Sequence, residues 1–115
     1  MLVFLFENEK RILQRIDYTI CSDDFLLEIN RTFLHHDYYT DIITFDYSKN
    51  NSIIGEVYIS LDRVTENSTN LSTRLGEEIS RVIIHGALHL CGYKDKTKKQ
   101  KEIMRKKEDF YLAHL

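Results

Sequence analysis

The chain has no proline and only 4 glycines in 115 residues. Linkers and domain boundaries are usually built from these residues, so residues 1–115 read as a single domain, long enough for one hydrophobic core. No repeat or low-complexity stretch interrupts it. Cysteine is also scarce. Cys21 and Cys91 are the 2 present, far apart and set among apolar neighbours, which excludes a disulfide framework or a zinc ribbon. Free buried thiols in a reducing cytoplasm, with no disulfide partner, are the expectation. Long apolar runs are missing too. Met1 to Phe6 is far too short to span a bilayer and no cleavage site follows it, so neither a membrane span nor secretion is expected. Nor is there an excess of positive charge: a net charge of −2 excludes a broadly basic nucleic-acid coat.

What is present is ordinary for a soluble domain, with 43% apolar and 30% charged residues. The basic residues are unevenly spread. Of 16 Lys and Arg, half lie between Lys94 and Lys107: Lys94, Lys96, Lys98, Lys99, Lys101, Arg105, Lys106 and Lys107. They form either a solvated helix face or a local positive field.

Periodicity outlines an α+β fold, a small mixed sheet of about four strands packed with helices. The strands are expected over Leu2–Phe6, Asp17–Cys21, Asp41–Tyr47 and Ile53–Ser60, the last two joined as a hairpin by the Lys49-Asn50-Asn51 turn. Ser22, followed by Asp23 and Asp24, caps a helix running to about Leu34, with Phe25, Leu26, Ile29 and Phe33 at helical spacing. Leu61 to about Asn67 predicts a short helix broken by Asn67–Asn70. From about Thr73 to Leu90 or Cys91 a longer helix carries Ile79, Val82, Ile83, Ala87 and Leu90 on one face. Ile84 and Leu88 lie elsewhere, which makes its second half apolar nearly all round and therefore buried. Gly92 stops it. A last helix, about Thr97 to Leu112, sets Ile103, Met104, Phe110 and Leu112 against its lysines.

The chemistry lies at the end of the long helix, in Ile84-His85-Gly86-Ala87-Leu88-His89-Leu90-Cys91-Gly92-Tyr93-Lys94-Asp95. Residues four apart on a helix lie about 40° apart around its axis, one turn up, so His85 and His89 can address one ion. Asp95 could join them only if the helix broke. Gly92, tolerant of positive φ, allows the chain to turn back over the helix end. Three protein ligands leave a fourth position for water, the mark of catalytic rather than structural zinc. Zinc lowers the pKa of such a water to about 7. Histidines at this spacing also occur as packing or surface residues. Here both fall in a buried apolar helix, where an unpaired imidazole is costly, and Gly92 and Asp95 complete a ligand set. One divalent ion per chain, zinc, is the expected cofactor.

The spacing resembles the metzincin metalloproteases, H-E-x-x-H-x-x-G-x-x-H or its Asp-ended form. Their catalytic glutamate would fall at position 86, which is glycine, and the protease mechanism is lost with it. The fuller resemblance is to the YbeY family of bacterial ribosomal-RNA maturation endoribonucleases, whose H-G-x-L-H-L-x-G-[YH]-D-H signature covers His85 to Asp95. Ile29-Asn30-Arg31-Thr32-Phe33-Leu34, Asp37 and Thr40-Asp41-Ile42-Ile43-Thr44-Phe45 resemble a second family stretch, L-N-x-x-[YF]-R-x-x-D-x-x-T-[DN]-V-L-S-F. Gly55-Glu56-Val57-Tyr58-Ile59-Ser60 resembles the G-D-I-x-I-S strand. The likeness runs from about Arg15 to Leu112.

This resemblance implies a zinc-dependent, single-strand-specific endoribonuclease acting in small-subunit (16S) rRNA maturation and ribosome quality control. Its partners would be single-stranded RNA and the small ribosomal subunit, in the cytoplasm. Three departures stand out. Asp95 occupies the place of a third histidine, and its charge should make a bound water less acidic and favour harder cations. Leu34 replaces an arginine. Leu2 to Leu13 is short for the strand and full helix expected there, which predicts a reduced or missing first helix.

On this reading metal on His85, His89 and Asp95 polarises a phosphate oxygen or supplies hydroxide, and basic side chains hold the RNA backbone. Arg31, Lys94, Lys96, Lys98 and Lys99 are the RNA-binding candidates. Tyr38, Tyr39 or Tyr93 either stack a base or pack in the core. No general base is identifiable. Glu78 shares the His85 stripe but lies two turns away, roughly 10 Å along the axis, and is expected to be exposed and ion-paired. A second reading keeps the metal structural and makes the protein a ribosome-associated assembly factor. The metzincin-like protease is a third, disfavoured by Gly86.

Overall fold

The computed structural model describes residues 1–115. Its elements run α1 (Leu2–Asn8), β1 (Ile12–Cys21), α2 (Asp23–Leu34), β2 (Ile42–Asp46), β3 (Ser52–Ser60), α3 (Leu61–Asn70), α4 (Leu75–Leu90) and α5 (Lys98–Leu112). The sheet is mixed and ordered β1-β3-β2. Strand β3 pairs parallel with β1 and antiparallel with β2, so the expected hairpin is present.

The sheet has three strands, because Leu2–Phe6 is helix rather than strand. A short unbroken apolar run has no period of its own. Here Leu5 N–H donates to Met1 C=O at 3.1 Å and Glu9 N–H to Leu5 C=O at 2.9 Å. Leu5 and Phe6 are buried while Val3 and Phe4 face outward, a helical partition. The first helix, expected to be reduced or missing, is present as a short one: α1 has seven residues.

Central strand β3 alternates as a half-buried strand should. Ile53, Val57 and Ile59 point into the main core with Val82, Ile84, Ala87, Leu88 and Leu90 of α4. On the opposite face a smaller cluster joins Leu26 and Ile29 of α2 to Ile43, with Phe45 and Tyr58 against it. Two glycines let α4 lie close to the sheet. A Cβ on Gly86 would come within 3.0 Å of Ile42 Cδ1 and 3.2 Å of Val57 Cγ1, and one on Gly55 within 2.8 Å of both Leu90 Cδ atoms.

The Ser22 cap forms as expected, its hydroxyl accepting from Phe25 N–H at 3.1 Å. Two helix faces are rotated from the sequence reading. In α2, Leu26, Leu27, Ile29 and Asn30 are buried, whereas Phe25 and Phe33 are exposed. In α5 the inward stripe is Met104, Glu108 and Tyr111, and Ile103 and Phe110 face out. Counting apolar residues places Glu108 in solvent, but it is turned inward by partners on α4. Helix α3 continues to Asn70 through the expected break, with Ser68 buried. Both thiols are free, Cys91 buried and Cys21 half-buried. Burial pushes the Cys91 thiol up to about 11, so it stays protonated and unreactive. No helix is long and apolar enough to cross a membrane.

Candidate metal centre

The site is built by the end of α4. The last turn closes as a Schellman motif: Gly92 N–H donates to His89 C=O at 3.0 Å and Tyr93 N–H to Leu88 C=O at 3.1 Å. Gly92 takes φ +98°, the left-handed region that an L side chain rarely adopts. The chain thereby reverses and brings Asp95 back over the histidines.

The structure brings His85, His89 and Asp95 together. Their ligand-type atoms lie within 4.8 Å of one another. The two Nε2 atoms are 2.9 Å apart, and Asp95 Oδ2 is 3.2 Å from that of His85 and 3.6 Å from that of His89. Three donors about 2.1 Å from one tetrahedral ion would be roughly 3.4 Å apart, a spacing these three distances bracket.

Hydrogen bonding supports the same use. His89 Nδ1–H donates to the Tyr93 carbonyl at 2.9 Å. A carbonyl only accepts, so the Nδ1 proton is fixed and the Nε2 lone pair is free. His85 Nδ1–H donates to Glu108 Oε2 at 2.6 Å. Three acceptor atoms thus face one point, an arrangement that a proton or a cation must reconcile. Both imidazoles are largely buried. Burial opposes charge on His85, but the carboxylates of Glu108, Asp95 and Asp41 outweigh it and hold its pKa above the ordinary value. Burial and then the neighbouring His85 push His89 below its own.

Sequence reasoning missed Glu108 and Arg81. Glu108 is 5% exposed, and Arg81 donates to its Oε1 at 3.0 Å and to Asp109 at 2.8 Å. Glu78, expected at the surface, is buried instead and accepts from the Thr73 hydroxyl at 3.0 Å.

The triad divides two clefts. One, of about 320 Å³, has His85, Asp95, Asp41, Glu78, Lys101 and Arg105 on its walls. The other, about 550 Å³, has His89, Lys96, Leu34, His36, Tyr38 and Asp46. Of the RNA-binding candidates, Lys96 lines the second cleft, while Lys94, Lys98 and Lys99 are exposed outside both. Arg31 is exposed and lies outside both, bonded to Asp37 at 2.5 Å and Glu28 at 3.0 Å. Tyr38 and Tyr39 are about half exposed rather than core residues. Tyr39, bonded to Asp24, and Tyr93, which donates to Glu9 at 2.6 Å, line neither cleft, whereas Tyr38, whose hydroxyl meets His36 Nδ1 at 3.0 Å, stands on the wall of the second.

An α+β fold with an open His-His-Asp constellation defines a candidate single-metal centre. Comparison with known proteins specifies the family. The profile of the family described as Endoribonuclease YbeY matches residues 3–115. The protein of Cytophaga hutchinsonii named Endoribonuclease YbeY is 51% identical over 108 residues, 93% of this chain and 76% of its own length. Its namesake from Parabacteroides distasonis is 53% identical over 100 residues, 87% and 70% of the two chains. The solution structure of TM1509 from Thermotoga maritima superposes with a TM-score of 0.65 at 26% identity, covering 96% of this chain and 79% of that one. The chain belongs to the endoribonuclease YbeY family.

Proposed function

We propose that residues 1–115 form a single metal-dependent endoribonuclease domain that cleaves single-stranded RNA, with one zinc ion held by His85, His89 and Asp95. The observation that carries this reading is the convergence of those three side chains, with both Nδ1 positions already engaged, in a chain of this family. A divalent ion held there supplies a Lewis acid and an acidified water for phosphodiester hydrolysis. Three protein ligands leave the site open, as catalytic zinc requires.

The protein's own residues do the rest. Two clefts meeting at the triad allow a strand to pass with nucleotides on either side. Lys101 and Arg105 on one wall and Lys96 on the other hold phosphates. Tyr38 offers a face on which a base stacks. The biological setting we assign is 16S rRNA maturation and ribosome quality control, on the small subunit in the cytoplasm.

The test is cleavage of single-stranded RNA with and without a chelator, alongside His85→Ala. Loss of cleavage under both treatments is expected. Activity that survives both overturns the metallonuclease reading. Leu34 on the wall of the second cleft, where the family has an arginine, favours one rival, an assembly factor whose metal is structural. It predicts ribosome binding without RNA cleavage. The protease reading lacks a mechanism, because Gly86 stands where the catalytic glutamate would be, and even a Cβ there would crowd Ile42 and Val57.

A further inference from the structure

A neutral imidazole carries one N–H, and which nitrogen bears it is set by the partner of the other. For His85 that partner comes from a different helix, 23 residues away in sequence, and is a carboxylate nearly sealed from solvent. We infer that Glu108, braced by Arg81, is a positioning residue that holds His85 in the Nδ1–H tautomer and aims its Nε2 at the ion, an inference resting on the metal-site reading above.

The two carboxylate oxygens have separate tasks. Oε1 accepts from Arg81 at 3.0 Å, and Oε2 accepts from His85 at 2.6 Å. Arg81 is four residues before His85 on α4, one turn away on the same face, and lines the same cleft as His85 and Glu108. Its other terminal nitrogen holds Asp109 at 2.8 Å. Arg81 and His85 of α4 therefore grip one carboxylate of α5, which fixes the carboxylate's position along both helices. The second histidine is treated differently. His89 Nδ1–H goes to the main-chain carbonyl of Tyr93, an uncharged acceptor at 2.9 Å. The bond to Glu108 is charge-assisted and shorter, as such bonds are, and it makes His85 the stronger electron-pair donor of the two.

Simple packing does not account for the group. Its neighbours on the inward stripe of α5 are Met104 and Tyr111, and an apolar side chain at 108 would complete that stripe without the cost of burying a carboxylate. What an apolar side chain could not do is accept the His85 proton.

The experiment is zinc competition against a chromophoric chelator for wild type, Glu108→Gln and Glu108→Leu. It is paired with 15N NMR of the histidine ring nitrogens and melting curves, both on metal-free protein. Outer partners of metal-bound histidines typically change affinity by about 10–100-fold. Glu108→Gln, which keeps size and an acceptor but no charge, should lose about tenfold, and Glu108→Leu nearer a hundredfold. The NMR spectrum should show His85 leaving the Nδ1–H tautomer in Glu108→Leu. If Glu108→Leu does not fold, Glu108→Gln carries the test alone. Wild-type zinc affinity in a folded variant, with only the melting temperature lowered, reduces Glu108 to a structural residue and overturns the inference while leaving the metal site standing. A wild-type protein that takes up no zinc overturns both.

Discussion

Tyr93 and His89 are joined at 2.9 Å through the Tyr93 carbonyl and the His89 Nδ1–H, so the first residue after the Gly92 turn orients the last histidine before it. The bond exists only because the helix ends where it does. Gly92 at φ +98° is the pivot, and nothing lies within 4 Å of where its Cβ would be. Any cost of Gly92→Ala is therefore backbone strain and not a clash. Strain of this kind costs about 1–3 kcal/mol. The variant should melt lower and also bind zinc more weakly, because relaxing the turn moves both the Tyr93 carbonyl and Asp95. Unchanged zinc affinity would show that the turn does not set the site.

Gly86 acts at a distance from the chemistry. The sequence presents it as the absence of a protease glutamate, and the structure gives it a positive role as the point where α4 rests on β2 and β3. Gly86→Leu must displace Ile42 and Val57, and overpacking of this kind costs about 1–3 kcal/mol. A lowered urea midpoint at unchanged slope is the expected result. A midpoint at or above wild type would show that the sheet and helix have room to separate.

Glu9 ties α1 to the far side of the site, accepting from Tyr93 at 2.6 Å, from Lys107 at 3.1 Å and from Tyr111. Burial raises its pKa, but the bonds from Tyr111, Tyr93 and Lys107 together outweigh burial and bring it below the ordinary value of 4.5. The unfolded chain therefore takes up a proton before the native one does. Its contribution to stability is complete above pH 4.5 and is lost as pH falls through the lowered native value. The stability gap between wild type and Glu9→Gln should be widest at neutral pH and shrink below pH 4.5, measured by urea unfolding at a series of pH values. A gap that stays constant through that range would exclude the carboxylate charge as its source.

Lys101 and Arg105 stand on the wall that also carries His85. If each holds a phosphate, Lys101→Ala and Arg105→Ala should weaken single-stranded RNA binding whatever the sequence. Each should also flatten the dependence of log K on log salt by about 0.7 for the one phosphate it no longer neutralises. Lys98→Ala and Lys99→Ala, outside both clefts, should leave the slope unchanged. Equal effects from all four would mean that the positive field acts diffusely and that no phosphate is held in the cleft.

How much of this is legible in the sequence depends on how local each feature is. His85, His89, Gly92 and Asp95 fall within eleven residues, and their geometry follows from helix pitch and one glycine. The hairpin and the Ser22 cap are equally local. Glu108 and Arg81 are not, since a glutamate among lysines reads as solvent-facing until α5 is docked on α4. Glu78 reads as a surface residue for the same reason. Helix α1 reads as a strand because five apolar residues in a row carry neither a period of 2 nor one of 3.6. What decides its form is the pocket that takes Leu5 and Phe6.

Asp95 is the proposed ligand with the least support around it. Its side chain is 40% exposed, and its carboxylate pairs with His85 and His89. Removing it leaves no cavity in the core, so Asp95→Ala should fold and melt close to wild type when metal-free. Zinc affinity should fall sharply, because two imidazoles alone make a poor site. Asp95→His, which restores the side chain found at this place in most of the family, should bind zinc again. The two ligand sets should differ in ion preference: aspartate, the harder donor, should favour manganese or magnesium relative to zinc more than histidine does. Metal analysis of purified wild type and both variants decides the matter. Stoichiometric zinc retained unchanged in Asp95→Ala would remove Asp95 from the ligand set and leave the histidines with a third partner still to be found.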